Sequence, residues 1–71
     1  MKNTIRVERA IHNITQQDLA KKIDVSRQTI NAIESNKYVP STVLALKIAR
    51  VFQKKVDEIF TLEDTDWSWI I

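Results

Sequence analysis

Apolar residues in this 71-residue chain return every three to four positions through five stretches, the period of helices with one buried face. Strand-like alternation is missing before the last five residues. The first stretch, 3–12, puts Ile5, Arg9 and His12 on one side, with Val7, Ala10 and Ile11 adding apolar surface. Thr15 opens the second. Thr15 and Asp18 have capping-box spacing, in which hydroxyl and carboxylate satisfy free backbone N–H groups and the acid suits the positive helix end. Leu19, Ala20 and Ile23 share a face, and this helix is expected to end near Lys22. Ser26 caps a third helix to about Ser35. Its helical period turns Ile30, Ile33 and Glu34 one way and Gln28, Asn31, Ala32 and Ser35 the other. Proline pushes the residue before it out of the α region, so Val39-Pro40 is extended. Ser41 caps a fourth helix to about Phe52, with Val43, Leu44, Ile48 and Val51 apolar. A short fifth, 56–60, contributes Val56, Ile59 and Phe60, and the tail then turns acidic and finally apolar.

Composition narrows the chemistry. Glycine is absent and proline occurs once, so the joints are expected to be short. Cysteine is absent, which excludes disulfides, thiolate metal sites and a thiol nucleophile. The one histidine excludes His-rich metal sites, so neither metal nor cofactor is expected. The charged opening MKNTIRVERA is unlike a signal peptide, and no apolar run is long enough to span a membrane. The expectation is a single cytoplasmic domain without room for a sensor or small-molecule pocket. So small a core usually needs a staple or a partner. Residues 1–55 hold all 11 lysines and arginines against four acids, whereas residues 56–71 hold five acids and no base. A basic body with an acidic end points to a polyanionic partner, most simply nucleic acid.

Residues 16–35 carry the most specific signal. Counted from Gln16, apolar residues fall at the fourth (Leu19), eighth (Ile23), tenth (Val25), fifteenth (Ile30) and eighteenth (Ile33) positions, and the fifth is the small Ala20. Two short helices crossing steeply through a tight turn require this pattern, with a small residue where the second passes over the first. The outer face of the second helix is then free to enter a major groove.

With the flanking phrases Ile14 to Ala20, Val25 to Ile30, Ile33 to Ser41, Leu44 to Ala49 and Glu58 to Phe60, the chain resembles the Cro/repressor-type, or XRE-like, helix-turn-helix regulators over about residues 4–60. The resemblance implies an all-α, compact five-helix repressor-like domain that usually binds a double-stranded DNA operator as a homodimer. It implies no enzymatic activity. The domain is expected over 1–60, with 61–71 as a separate tail. In this fold Arg27, Gln28, Thr29 and Asn31 are expected to read bases, and Gln28 suits adenine because an amide can pair with it bidentately. Gln16, at the start of the second helix, and Asn36, Lys37 and Tyr38, after the third, are expected on phosphates. Relatives pair an arginine of the first helix with a glutamate late in the third, here Arg9 and Glu34. His12 is expected to interact with its own helix C-terminus, and Lys47, Arg50, Lys54 and Lys55 to form a solvated face.

The family usually places glycine after the first, third and fourth helices and in the central turn. This chain has Asn13, Asn36, Gln53 and Asp24 there. If these backbones are left-handed, Asn and Asp are the next-best residues, and Gln53 costs about 1 kcal/mol. Lys54 occupies a position commonly apolar, so the join to the fifth helix is expected to be loose. Trp67, Trp69, Ile70 and Ile71 are surplus to a five-helix core; their alternation suits an extended strand and predicts a dimerisation element. The competing reading is a protein-interaction adaptor or antitoxin that keeps the fold and uses the tryptophan-rich tail as its partner surface. An outward helix face that was apolar or acidic would favour it, and Arg27, Gln28, Thr29, Asn31 and Ser35 are neither.

Overall fold

The computed structural model describes residues 1–70, with the backbone alone for Ser68, Trp69 and Ile70; Ile71 lies outside the described residues. Five helices follow one another as α1 (Ile5–His12), α2 (Gln16–Ile23), α3 (Arg27–Glu34), α4 (Thr42–Val51) and α5 (Val56–Ile59). Local chemistry sets their beginnings. The Thr15 hydroxyl accepts from Asp18 N at 3.0 Å while the Asp18 carboxylate accepts from Thr15 N at 3.0 Å, closing a full capping box. Ser26 Oγ accepts from Thr29 N at 3.2 Å, and Ser41 Oγ accepts from Leu44 N at 3.2 Å.

The helix ends share one device. Asn13, Asp24, Asn36 and Gln53 all have positive φ, at 55°, 61°, 63° and 55°. Each is followed by an N–H reaching the carbonyl five residues back: Ile14 to Arg9, Val25 to Ala20, Lys37 to Ala32 and Lys54 to Ala49, at 2.9–3.0 Å. These are Schellman-type closures, in which a left-handed residue lets the chain satisfy the last free carbonyls. The glycine-free chain builds them with side chains that tolerate the conformation, except at Gln53.

The core is formed by Ile5, Leu19, Ile23, Ile30, Ile33, Ile48, Phe52 and Ile59, all essentially inaccessible. Ala20, 1% exposed, lies in it between α2 and α3, where a larger side chain would overpack. His12 lies edge-on to Phe52 with ring centroids 5.2 Å apart.

Several expectations need correction. The first helix starts at Ile5, because Lys2–Asn3 forms a strand, β1, antiparallel to β2 (Phe60–Thr61). Phe60 was expected in the last helix. It is extended at φ −111°, which lets its buried ring enter the core while its backbone pairs with Asn3. Two-residue strands are too short to show alternation. The tail, expected as an extended strand, runs as a 3-10 helix over Asp64–Ile70. The Asp66 carboxylate accepts from Glu63 N at 2.7 Å, and Asp66 N donates to Glu63 O at 3.0 Å, which winds the chain at this point. The Met1 ammonium, 3.2 Å from Glu63 and 3.1 Å from Asp66, holds the turn against the body. An apolar pair spaced by three fits such a helix as well as Trp-Ser-Trp fits a strand.

Lys47, Arg50, Lys54 and Lys55 are all exposed, and two of them also hold partners. Lys54 Nζ is 2.8 Å from Glu8 Oε2, and the Glu8 side chain is buried, 5% exposed. The position commonly apolar thus holds the counter-charge of a buried acid. Lys47 Nζ donates to Ile23 O at 3.4 Å, neutralising the end of α2.

Candidate nucleic-acid interface

Ile30 and Ile33, 0% and 1% exposed, fix the rotation of α3 about its axis. Arg27, Gln28, Asn31 and Ser35 consequently face solvent, with Ala32 half-buried beside them. Thr29 is half-buried, and its Oγ1 lies 3.0 Å from Ser26 Oγ within the helix cap. Ser35 Oγ bonds back to Asn31 O at 2.8 Å.

Behind this face runs a polar chain linking three helices. Arg9 donates through Nε to Glu34 Oε2 at 2.6 Å, through Nη2 to Glu34 Oε1 at 3.1 Å, and through Nη1 to Ile14 O at 3.3 Å. The Glu34 side chain is 1% exposed. Gln16 Nε2 donates to Glu34 Oε1 at 3.1 Å and, less closely, to Asn31 Oδ1 at 3.4 Å. Gln16 Oε1 accepts from Arg27 Nε at 3.3 Å. Burial pushes the Glu34 carboxyl up, but hydrogen bonds from Arg9 and Gln16 and the charges of Arg9 and Arg6 outweigh it and hold it below its ordinary value. Arg9 is raised by its hydrogen bonds to Glu34. The bidentate pair therefore stays ionised and ties α1 to the end of α3, and Gln16 joins the start of α2 to the same carboxylate.

The residues expected on phosphates are placed unequally. Gln16 is half-buried, and both ends of its amide are engaged. Asn36 Oδ1 accepts from Asn3 Nδ2 at 3.3 Å, whereas Lys37 and Tyr38 are exposed just beyond α3. Two further residues belong to the site without having been read from the sequence. Asn3 caps both α3, donating to Ile33 O at 2.9 Å, and α1, accepting from Ile5 N at 3.2 Å. Arg6, three quarters exposed, lies 3.7 Å from Glu34 on the rim of an open cleft of about 680 Å³, with Arg9, Gln16, Gln17 and Arg27 also lining it. Its one-turn spacing from Arg9 was the available signal, but only the approach of α1 to Glu34 turns it toward the same cleft.

A helix-turn-helix family model matches residues 5–59, the span that holds all five helices. The chain belongs to the XRE-type helix-turn-helix family. It is 58% identical over 66 residues to an uncharacterised HTH-type transcriptional regulator of Methanocaldococcus jannaschii, covering 93% of this chain and 100% of the relative. Over 66 residues it is 46% identical to one of Archaeoglobus fulgidus, covering 93% and 94%. Over 64 residues it is 44% identical to one of Bacillus subtilis, covering 90% and 97%. The XRE-type family comprises regulators and not enzymes. Among the described residues no helix is long and apolar enough to cross a membrane, and no three His, Asp or Glu side chains are grouped to hold a metal. Of the tail positions read as a dimerisation element, Trp67 is 53% exposed. The side chains of Trp69 and Ile70, and the whole of Ile71, lie outside the described residues.

Proposed function

We propose that this XRE-type domain is a cytoplasmic, sequence-specific transcriptional repressor that occupies a double-stranded DNA operator as a homodimer. The observation that carries this reading is the outward face of α3. It presents Arg27, Gln28 and Asn31 to solvent, while the Arg9–Glu34–Gln16 chain braces it from behind. A helix so held can enter a major groove with its donors and acceptors fixed, which is how base edges are discriminated. The cleft rimmed by exposed Arg6, together with exposed Lys37 and Tyr38 at the other end of α3, supplies places for the phosphates on either side. Phosphate contacts would supply affinity and register, and base contacts specificity. The homodimer is favoured by apolar surface the domain leaves uncovered: Trp67 in the tail, and Val39, Val43 and Leu46 on and before α4, each more than half exposed.

The test is selection of binding sites from random duplexes with the purified protein, followed by titration of the winning site at several salt concentrations. A common sequence with two-fold symmetry is expected, with affinity falling steeply as salt rises. Recovery of random sequences would overturn sequence-specific recognition, and a single asymmetric site would overturn the homodimer.

A further inference from the structure

The hydrogen-bond chain behind α3 fixes which part of each reading side chain is left for DNA, and from it the kind of base each takes can be read. At one end of Gln16 stands the Glu34 carboxylate, held ionised by Arg9, which can only accept; it must face the Gln16 amide nitrogen, and does so at 3.1 Å. At the other end stands the Arg27 guanidinium, which can only donate; it must face the Gln16 oxygen, and does so at 3.3 Å. The amide therefore has a single orientation. Arg27 is consequently tethered through Nε, and its Nη1 and Nη2 make no hydrogen bond among the described residues. A guanidinium held at Nε keeps two terminal donors, directed away from Gln16, with the fork spacing that matches the O6 and N7 acceptors of guanine.

The same chain sorts the two amides on the outward face. The second N–H of Gln16 points to Asn31 Oδ1 at 3.4 Å, which turns that oxygen toward the brace while leaving it one lone pair and Asn31 its Nδ2 donors. Gln28 has no hydrogen bond within the described chain, so both ends of its amide remain for adenine.

We infer that Arg27, positioned by Gln16, is the guanine-reading residue of this domain, beside an adenine read by Gln28. The inference rests on the proposed reading of α3 as a sequence-specific DNA-binding helix. Gln16 is on this account a positioning residue, whose effect on bases passes through Arg27.

The experiment uses the selected duplex with each guanine replaced in turn by 7-deazaguanine, which lacks the N7 acceptor, and measures affinity by fluorescence anisotropy. One guanine in each half-site is expected to lose about 10- to 100-fold on replacement. Arg27→Ala should bind the unmodified and modified duplexes alike, and Gln16→Ala should shrink the difference between them. Arg27 is exposed, so its variant should melt as the parent does, which circular dichroism checks. If Arg27→Ala weakens every duplex by one factor, selected or random, Arg27 sits on a phosphate and the inference is overturned while the repressor reading stands. The same follows if no guanine is sensitive to replacement. If the parent protein selects no sequence at all, the reading of α3 fails and takes this inference with it.

Discussion

The Glu34 side chain is only 1% exposed, a cost offset by three donors: two from Arg9 and one from Gln16. Net burial of an ion pair contributes little, but removing one partner strands the other charge at about 3–5 kcal/mol. Arg9→Ala and Glu34→Ala are each expected to cost that much in denaturant unfolding, and the double variant less than their sum. Additive losses would show that the two charges act separately. The pH dependence has a definite sign. Because the folded-state value of Glu34 lies below its ordinary one, its contribution is complete above the ordinary value and is lost as pH falls through the folded value. Titrating stability from about pH 7 to about pH 3 should therefore show a decline that is shallower in Glu34→Gln. In that variant the neutral-pH stability should also be lower.

At the level of elements, four helices end on left-handed residues and only one of these is badly suited to it. Asn and Asp tolerate positive φ; Gln53, at φ 55°, has no such excuse in its side chain. Gln53→Gly is expected to raise stability by about 0.5–1 kcal/mol, measured by the unfolding midpoint, whereas Asn13→Gly should change it less. The join that follows is firmer than the lysine at position 54 suggests. Lys54 pairs with buried Glu8, and the Glu8 carboxylate holds the lysine ammonium above its ordinary value through a hydrogen bond and charge. Glu8 Oε1 meanwhile has no hydrogen-bond partner, so this pair is incompletely satisfied. Lys54→Met should lower the melting temperature by leaving Glu8 alone, and Glu8→Leu combined with Lys54→Met should restore or exceed the parent value. A double variant no better than the single one would show that the pair itself is required.

Across the whole molecule, the two ends of the chain are brought together. β1 pairs with β2, and the Met1 ammonium meets Glu63 and Asp66. Its hydrogen bond to Asp66 raises the amine, so this clasp is complete below the ordinary amine value and is lost as pH rises through the raised one. Asp66 is lowered, first by the Glu63 N–H and then by the amine; its share is present above the ordinary carboxylate value and is lost in acid. Neutral pH lies inside both limits, which keeps the start of the tail on the body while Trp67 remains exposed. For the proposed homodimer, deleting residues 67–71 spares Asp66 and tests the tail directly. Sedimentation equilibrium should show a dimer turning monomeric, with operator affinity falling by at least tenfold because both half-sites are no longer held together. A truncated protein that stays dimeric would move the interface to another surface, of which the exposed Val39, Val43 and Leu46 strip is the next candidate.

The sequence by itself determined what depends on neighbours a few residues away. Helix starts follow from Thr15, Ser26 and Ser41, whose hydroxyls cap the next turn, and the buried face of each helix follows from apolar residues at helical spacing. The left-handed stops were marked by Asn and Asp where a helix had to close without glycine. The outward set of Arg27, Gln28 and Asn31 was legible because Ile30 and Ile33 leave α3 one rotation. Tertiary structure decided what joins distant parts of the chain. No local pattern foretells that Asn3 caps α3, that Lys54 meets Glu8, or that Phe60 leaves its helix to pair with Asn3, because each contact spans 30 residues or more. It also decided the working state of the interface. Gln16 is a surface amide by sequence, and only the approach of α2 to α3 places it between a group that can only accept and one that can only donate.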